Sequence, residues 1–234
     1  MAKLFGLLSS ATLYARSLGV FYYVFAALEK ALDEALQQGA ADVALFERPL
    51  KGGLYRAPGF RTDLEYLLGK DWEAKCGPKS QALKDYEAYL ASLPAANPRL
   101  LIVHAYTQHL AAASGGQQIK RWARRFFELP EDRGTAAFDY PGESNNTLRT
   151  QFKSALDEWG RGLSAEEVDQ LVAEHVGAFR RNNAVMRAFP IPAHAVLLGV
   201  MRVVPPGARL VLLGLLGLLL GLVLSWAKRQ GFIS

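Results

Sequence analysis

The chain has 234 residues, 50% hydrophobic and 21% charged, which is enough for one sizeable core and leaves little for a second domain. Its formal net charge is +5, yet basic and acidic residues are interleaved and no zinc-finger spacing or basic-aromatic ladder occurs, so no nucleic acid partner is expected. Cys76 is the only cysteine, which excludes an intramolecular disulfide and a multi-cysteine metal site.

In chain order, the opening MAKLFGLLSSATLYARS has only a superficial likeness to a signal peptide. Its apolar run, Leu4 to Leu8, is short, and Arg16 interrupts the stretch after it, so the segment is taken as mature sequence. Phe21, Phe25, Leu28, Leu32 and Leu36 recur at spacings of three and four, which predicts an amphipathic helix from near Ser10 to a stop at Gly39. A Gly- and Pro-rich loop is expected from Glu47 to Gly59. Helices are predicted from about Phe60 to Leu68, ending at Gly69, and from about Pro78 to Leu93, ending at Pro94. Helical patterning resumes at Pro98 and runs to Leu129, crossing Gly115 and Gly116. After the loop PEDRGTAAFDYPGES comes a helix from about Asn145 to Trp159, and the Ser164-Ala165-Glu166-Glu167 capping box starts a last helix that Pro190 terminates after Phe189. No stretch of alternating β-branched residues is present, so the fold class is all-α.

Near the C-terminus, Leu210 to Ala227 carries no charge and is bracketed by Arg209, Lys228 and Arg229. A helix of that length is roughly 27 Å long, which suits a thin bilayer. The expected organisation is a helical domain at 1–190, a Pro-containing linker at 191–209, a transmembrane helix at 210–227 and a short basic tail at 228–234. Such a chain is tail-anchored, in the endoplasmic reticulum or another organelle, with its helical domain facing the cytosol. Basic residues on both flanks leave orientation undecided by charge alone. Gly217 and Gly221 form a GxxxG pair through which a homodimer could pack.

The pair Gly115-Gly116 interrupts a helical pattern at about 1 kcal/mol each against alanine. Either a helix ends there in a glycine cap and another starts at Gln117, or a backbone without Cβ atoms lets a flat ligand lie on a continuous helix. The segment LLIVHAYTQHLAAASGGQQIKRWARRFFELP resembles the distal helix of the haem oxygenase family through Leu100, Leu101, His104, Ala105, Tyr106, Leu110, Ser114, Gly115, Gly116 and Gln117. LYARSLGVFYYVFAALEKAL is similar to the family's second helix. YRAPGFRTDLEYLLGKDW matches a further family segment through Arg56, Phe60, Asp63, Leu64, Tyr66, Gly69 and Trp72. Gly134, Phe138, Tyr140, Pro141, Phe179 and Asn182 also fall on family positions, and the likeness runs from about Lys3 to Phe189.

That resemblance implies a haem-oxygenase-like helical bundle that holds haem as both substrate and cofactor. It also implies O2 and electrons from an NADPH-dependent reductase or ferredoxin, and ring opening to biliverdin, Fe2+ and CO. The cofactor-binding residues implied are Tyr106, Ser114, Gly115, Gly116, Phe179 and Asn182. Arg149 and Lys153, four apart and so on one helical face, are candidates to hold the propionates. Lys120, Arg121, Arg124 and Arg125 form either a docking patch for an acidic reductase or an ordinary solvated face.

Two departures from the family pattern are expected to matter. The proximal histidine belongs to the family's first helix, upstream of the segment matched from Lys3, so that helix is expected to be absent. His104 matches a distal-helix histidine that is not the ligand, and His175 and His194 are assigned outside the pocket helices or to the linker. His109, where a tyrosine is usual, is left as the candidate substitute metal ligand. The family's Gly-Asp is Ala111-Ala112 here, so no catalytic residue is intact at that position. Loss of such a carboxylate removes general acid assistance, typically 10²–10⁴-fold. The expectation is therefore a haem oxygenase family protein with impaired haem cleavage. The alternatives are an inactive haem-binding carrier or sensor, a membrane-anchored helical interaction protein, or a non-haem iron enzyme, although clustered carboxylate and histidine ligands are not evident.

Overall fold

The computed structural model describes residues 2–140 and 142–204, with scattered positions from 208 to 226 beyond them. Most of the expected span 210–227, and all of the tail 228–234, lie outside the described residues. The helices in chain order are α1 (Ala2–Leu7), α2 (Ala11–Gln37), α3 (Ala41–Ala44), α4 (Glu47–Pro49), α5 (Ala57–Leu68) and α6 (Trp72–Cys76). They continue as α7 (Gln81–Ala96), α8 (Leu100–Phe127), α9 (Asn145–Gly160), α10 (Ala165–Ala188) and α11 (Ala193–Val203). A π-helical turn at Leu50–Leu54 and a 3-10 turn at Ala136–Phe138 complete the regular structure, and no strand occurs among the described residues.

Two compact bodies result, Ser10–Pro190 and a smaller one made of Met1–Ser9 with Ile191–Ser234. In the smaller body α1 crosses α11 at glycines: a Cβ on Gly6 would stand 2.6 Å from the Ile191 side chain, and one on Gly199 would collide with the Phe5 carbonyl. Close backbone approach of this kind requires residues without side chains. Where a linker was expected, Ala193–Val203 is helical, because Pro192 precedes the first turn and Pro205 follows the last, so neither interrupts a hydrogen bond within it.

In the larger body α2 is the central element. It is long and apolar enough to cross a membrane by length and composition, but Val24, Leu28, Leu32 and Ala35 are buried against Leu83, Tyr86 and Leu90 of α7 and Leu101, Ile102 and Ala105 of α8. Each large side chain so buried contributes about 1.5–3 kcal/mol. Ser10 starts α2 by accepting a hydrogen bond from Leu13 N at 3.2 Å, a cap worth about 1 kcal/mol. Phe46, Leu50, Leu54, Phe152 and Trp159 extend the same core beneath α9. Arg99 at the start of α8 pairs with Asp42 and Glu167, and Asp42 also accepts from Trp159 Nε1 at 2.7 Å.

Three local expectations are corrected. The segment Glu47 to Gly59 is not an open loop but a compact turn, because Leu50 and Leu54 are buried in the core and Gly53, at φ 152°, reverses the chain where other residues are strained. α7 continues past Pro94 to Ala96, since a proline in the last turn removes only one hydrogen bond and Pro94 is itself packed. Most relevant to function, α8 runs unbroken through Gly115 and Gly116 and ends only at Glu128, in the left-handed region at φ 51°. The glycine pair is therefore not a cap.

Candidate functional site

The segment 134–140 is clamped between α5 and α8 by residues that the motifs contain. Gly59 lets the chain pass, since a Cβ there would be 2.6 Å from the Ala136 carbonyl. Asp63, fully buried, accepts from Ala136 N at 2.7 Å and Ala137 N at 2.9 Å. Burial raises its carboxyl to about 6, although the Ala137 and Ala136 N–H groups pull the other way. Phe138 then packs edge-on to Phe60, with 6.2 Å between ring centroids, and directly against Gly116. Gln117 Nε2 donates to the Phe138 carbonyl at 2.7 Å. Arg56, also buried, donates to the Leu54, Gly53 and Asp139 carbonyls and lies 4.2 Å over the Tyr140 ring.

The opposite face of α8 is covered at Thr107 but opens toward Ala111, Ser114 and Gly115. Thr107, Ala111, Ser114, Gly115 and Gln118 recur at helical spacing along that face. Ala111, Ser114 and Gly115 are exposed, and a Cβ placed on Gly115 would meet nothing within 4 Å. The Ser114 hydroxyl turns back to the Leu110 carbonyl at 2.7 Å, so it presents no free donor outward.

Beside this face lies α10. Tyr106 meets His175 edge to face at 5.5 Å, and His175 meets Phe179 likewise at 4.9 Å. His175 Nδ1 is 3.0 Å from Thr107 Oγ1. Phe179 is 51% exposed and continues an uncovered apolar stripe with Val168, Val172 and Val176. A stripe of this kind on a helix marks a place where an apolar body lies. Deeper in the α8–α10 interface, Gln108, Tyr86, His104, Glu174 and Arg181 form a continuous chain of hydrogen bonds. Burial lowers the His104 pKa despite the Glu174 carboxylate, and His104 and Tyr89 hold Glu174 low in spite of its own burial.

The structure joins Tyr106 to Phe179 through His175 where α8 meets α10, leaves Ser114 and Gly115 exposed further along α8, and puts Asn182 on the Phe179 side of α10. Gly116 is turned away, and its missing side chain is accounted for by Phe138. Ala112 is half-buried on α8 and offers no polar group. Arg149 and Lys153 stand on α9, which Asn145 ties to α8 through the Ala113 carbonyl at 2.9 Å. The Nε atom of Arg149 is buried with no hydrogen-bond partner among the described residues, whereas Lys153 is exposed. His109 is a core side chain rather than an available ligand, since Nδ1 contacts the Ala105 carbonyl and Nε2 contacts Glu29 Oε1, each at 3.3 Å. In the basic cluster Lys120 is paired with Asp139, and Arg124 bonds Thr135 and the Glu131 carbonyl. His175, set outside the pocket helices by the sequence reading, lies on α10 four residues before Phe179 and seven before Asn182 and so shares their helical face, where it meets Thr107. Surface clefts of about 600 and 690 Å³ lie along α2, around Asp33, Tyr55 and Arg61. Charged side chains line them and none comes from α8 or α10.

Comparison with known proteins agrees with this architecture. Residues 1–188 match the family described as "Heme oxygenase". The curated protein "Heme oxygenase 2" of Synechocystis is 32% identical over 167 residues, which is 70% of this chain and 64% of the relative, so the chain spans somewhat less than two thirds of that protein. The solved structure of haem oxygenase 2 from Chlamydomonas reinhardtii without haem is 62% identical and superposes with a TM-score of 0.80, covering 82% of this chain and 89% of that one. Haem oxygenase-2 from Synechocystis in complex with haem and NO is 28% identical with a TM-score of 0.69, over 83% and 82% of the two chains.

Proposed function

Because the chain belongs to the haem oxygenase family, whose activity is the binding of haem and its cleavage to biliverdin, we propose that this protein binds haem in the trough between α8 and α10. It cleaves haem more slowly than a member with an acidic distal residue. The observation that carries the reading is the unbroken α8 with its Gly115 face bare, beside the exposed Phe179.

The residues present fit a haem. The Cβ-free Gly115 and the small Ala111 and Ser114 beside it meet a flat macrocycle, the Val172, Val176 and Phe179 stripe meets its apolar edge, and the buried, unpartnered Arg149 Nε with the Lys153 ammonium supplies donors for propionates. When bound, haem supplies the iron at which O2 is reduced, with electrons from a reductase or ferredoxin. The chain's own part is to hold the macrocycle against α8, to exclude water with the α10 side chains and to fix the propionates. At positions 111, 112, 114, 115 and 118, α8 offers no titratable side chain, so proton delivery on this side falls to solvent. That is why turnover is slow, and it also supports the second reading, a haem carrier or sensor.

Titration of the full chain with haemin, followed by a reductase and NADPH, tests both readings. Saturable binding with slow biliverdin release supports the enzyme, and binding without any biliverdin supports the carrier. Ala112→Asp is expected to raise the rate by at least tenfold, with 10²–10⁴ as the usual range for general acid assistance. An absence of saturable haemin binding overturns the proposal.

The same reading places Leu210–Ala227 in a membrane as a tail anchor with the helical body on the cytosolic side, and Gly217 and Gly221 at a homodimer contact. It rests on the uncharged run and its basic flanks. Carbonate-resistant membrane association of the full chain, lost on truncation after Arg209, is the expected outcome.

A further inference from the structure

All 22 acidic residues of the chain fall between Glu29 and Glu174. The smaller body, Met1–Ser9 with Ile191–Ser234, therefore has no carboxylate side chain, and its Lys3, Arg202, Arg209, Lys228 and Arg229 carry the whole formal net charge of +5. The body Ser10–Pro190 is neutral, its cations matched by as many acids. A surface that has only to stay in solution mixes both signs. Charge of one sign confined to one small body, with no acid to pair it, suits an anionic partner.

The described part of that body shows where such a partner would lie. Ala195 and Gly199, four apart and so on one face of α11, are buried, and Gly199 meets the Phe5 carbonyl of α1. Another face of α11 is uncovered among the described residues: Ala193, His194, Leu197, Leu198 and Arg202 are exposed, the two leucines by about half. His194, Leu198 and Arg202 recur every four residues, so two large apolar side chains stand beside a cation. Arg202 also donates to the Leu8 carbonyl at 3.4 Å, tying the end of α1 to α11. Its long stem lets the charge stay among headgroups while leucines on the same helix go deeper.

Six residues, 204–209, separate α11 from the uncharged run that starts at Leu210, a reach of at most about 22 Å when extended. With that run in a bilayer, α11 cannot leave the membrane surface. Leu218, Leu222, Val223 and Trp226 of the run are exposed as well, so the apolar surface of α11 continues into it.

From these relations we infer that α1 and α11 form a docking element for an anionic phospholipid surface, with Leu197 and Leu198 entering the acyl boundary and the cations meeting the headgroups. The inference rests on the membrane reading above for the place of that surface, and it adds a lipid preference that an uncharged span cannot supply. Each cation near an anionic leaflet raises partitioning by about fivefold.

The test puts an environment-sensitive nitrobenzoxadiazole label on the full chain through Leu198→Cys, in a Cys76→Ala background, and reconstitutes it with vesicles of phosphatidylcholine, with or without phosphatidylserine. The same label at Lys30→Cys, an exposed site of the neutral body, is the control. With phosphatidylserine, the label at 198 is expected to emit at shorter wavelength and to be quenched by lipid spin-labelled near its headgroup. Both effects should be at least fivefold weaker in phosphatidylcholine alone, should weaken in about 1 M salt, where the Debye length is about 3 Å, and should fall about fivefold in Arg202→Gln. The label at 30 should stay aqueous throughout. An aqueous label at 198 in both vesicles overturns the docking, as does an equal response in both, which would make the contact apolar alone, or a matching response at 30, which would mean that the whole chain adsorbs. Carbonate extraction reads the span separately. Association that resists carbonate while the label at 198 stays aqueous overturns the docking alone, whereas association stripped by carbonate after a full response at 198 overturns the tail anchor and supports the docking.

Discussion

Gly116 and Phe138 are in direct contact across α8: a Cβ built on Gly116 would stand 2.6 Å from Phe138 Cδ1 and 3.1 Å from Cε1. The ring cannot yield, because it is buried and meets Phe60 on its other side. Neighbouring Gly115 has open space where its own Cβ would point. Gly116→Ala should therefore destabilise the protein by about 1–3 kcal/mol in urea unfolding through overpacking. Gly115→Ala should leave it unchanged or raise stability by about 1 kcal/mol through helix propensity. Gly115→Leu should weaken haemin binding without loss of stability. Equal destabilisation by both alanine variants would contradict the assignment of the two faces.

Asp63 gives a pH signature. Its carboxyl titrates near 6 in the folded protein against an ordinary 3.8, chiefly because it is buried. Between those values the folded state binds more protons than the unfolded chain, so this group's contribution to stability falls as pH rises from about 4 to 6, by up to about 3 kcal/mol. His104, whose pKa is lowered by burial, acts in the opposite sense, its contribution being lost as pH falls below the usual histidine range. The measurement is accordingly the unfolding free energy of wild type minus that of Asp63→Asn. That difference should decline across pH 4–6, and a flat difference would show that Asp63 titrates normally.

Tyr86→Phe removes the hydroxyl shared by His104 Nδ1 and Gln108 Nε2. Leaving two buried groups short of a partner should cost about 1–3 kcal/mol, with a Tm drop of roughly 2–4 °C per kcal/mol for a chain of this size. Haemin affinity should not change, since this chain of bonds lies beneath the trough rather than in it. A thermal shift below 1 °C would mean that solvent replaces the hydroxyl.

Arg149 and Lys153 differ in setting, and their variants should differ too. A charge-assisted hydrogen bond is worth about 1.5–3 kcal/mol, so Arg149→Ala should weaken haemin binding by roughly tenfold or more. Exposed Lys153 is screened by solvent and should contribute less than fivefold, in line with about 1 kcal/mol or below for exposed pairs. Titration with haemin and with its dimethyl ester separates the cause: the ester should bind wild type and both variants alike. A loss for the ester equal to that for haemin would assign Arg149 a packing role.

The helices and their order were legible in the sequence because periodicity and caps act between residues three or four apart. Ser10, Ser144 and Ser164 each accept a backbone N–H three residues on, and at Ser164 the capping-box motif announces it. The family motif was legible in the same way, as a run of residue types at fixed spacing. Spacing could not reveal which motif residues hold the fold and which face a ligand. Arg56, Asp63 and Gly116 proved to hold the 136–139 segment, at Asp139, at Ala136 and Ala137, and at Phe138 in turn, while Gly115 stayed open. The contact of His175 with Thr107 was hidden for the same reason, since it spans 68 residues of chain. Local pattern thus determined the elements and the kinship. The assignment of one glycine inward and the next outward was decided only when distant segments came together, because a contact energy exists only between atoms that touch.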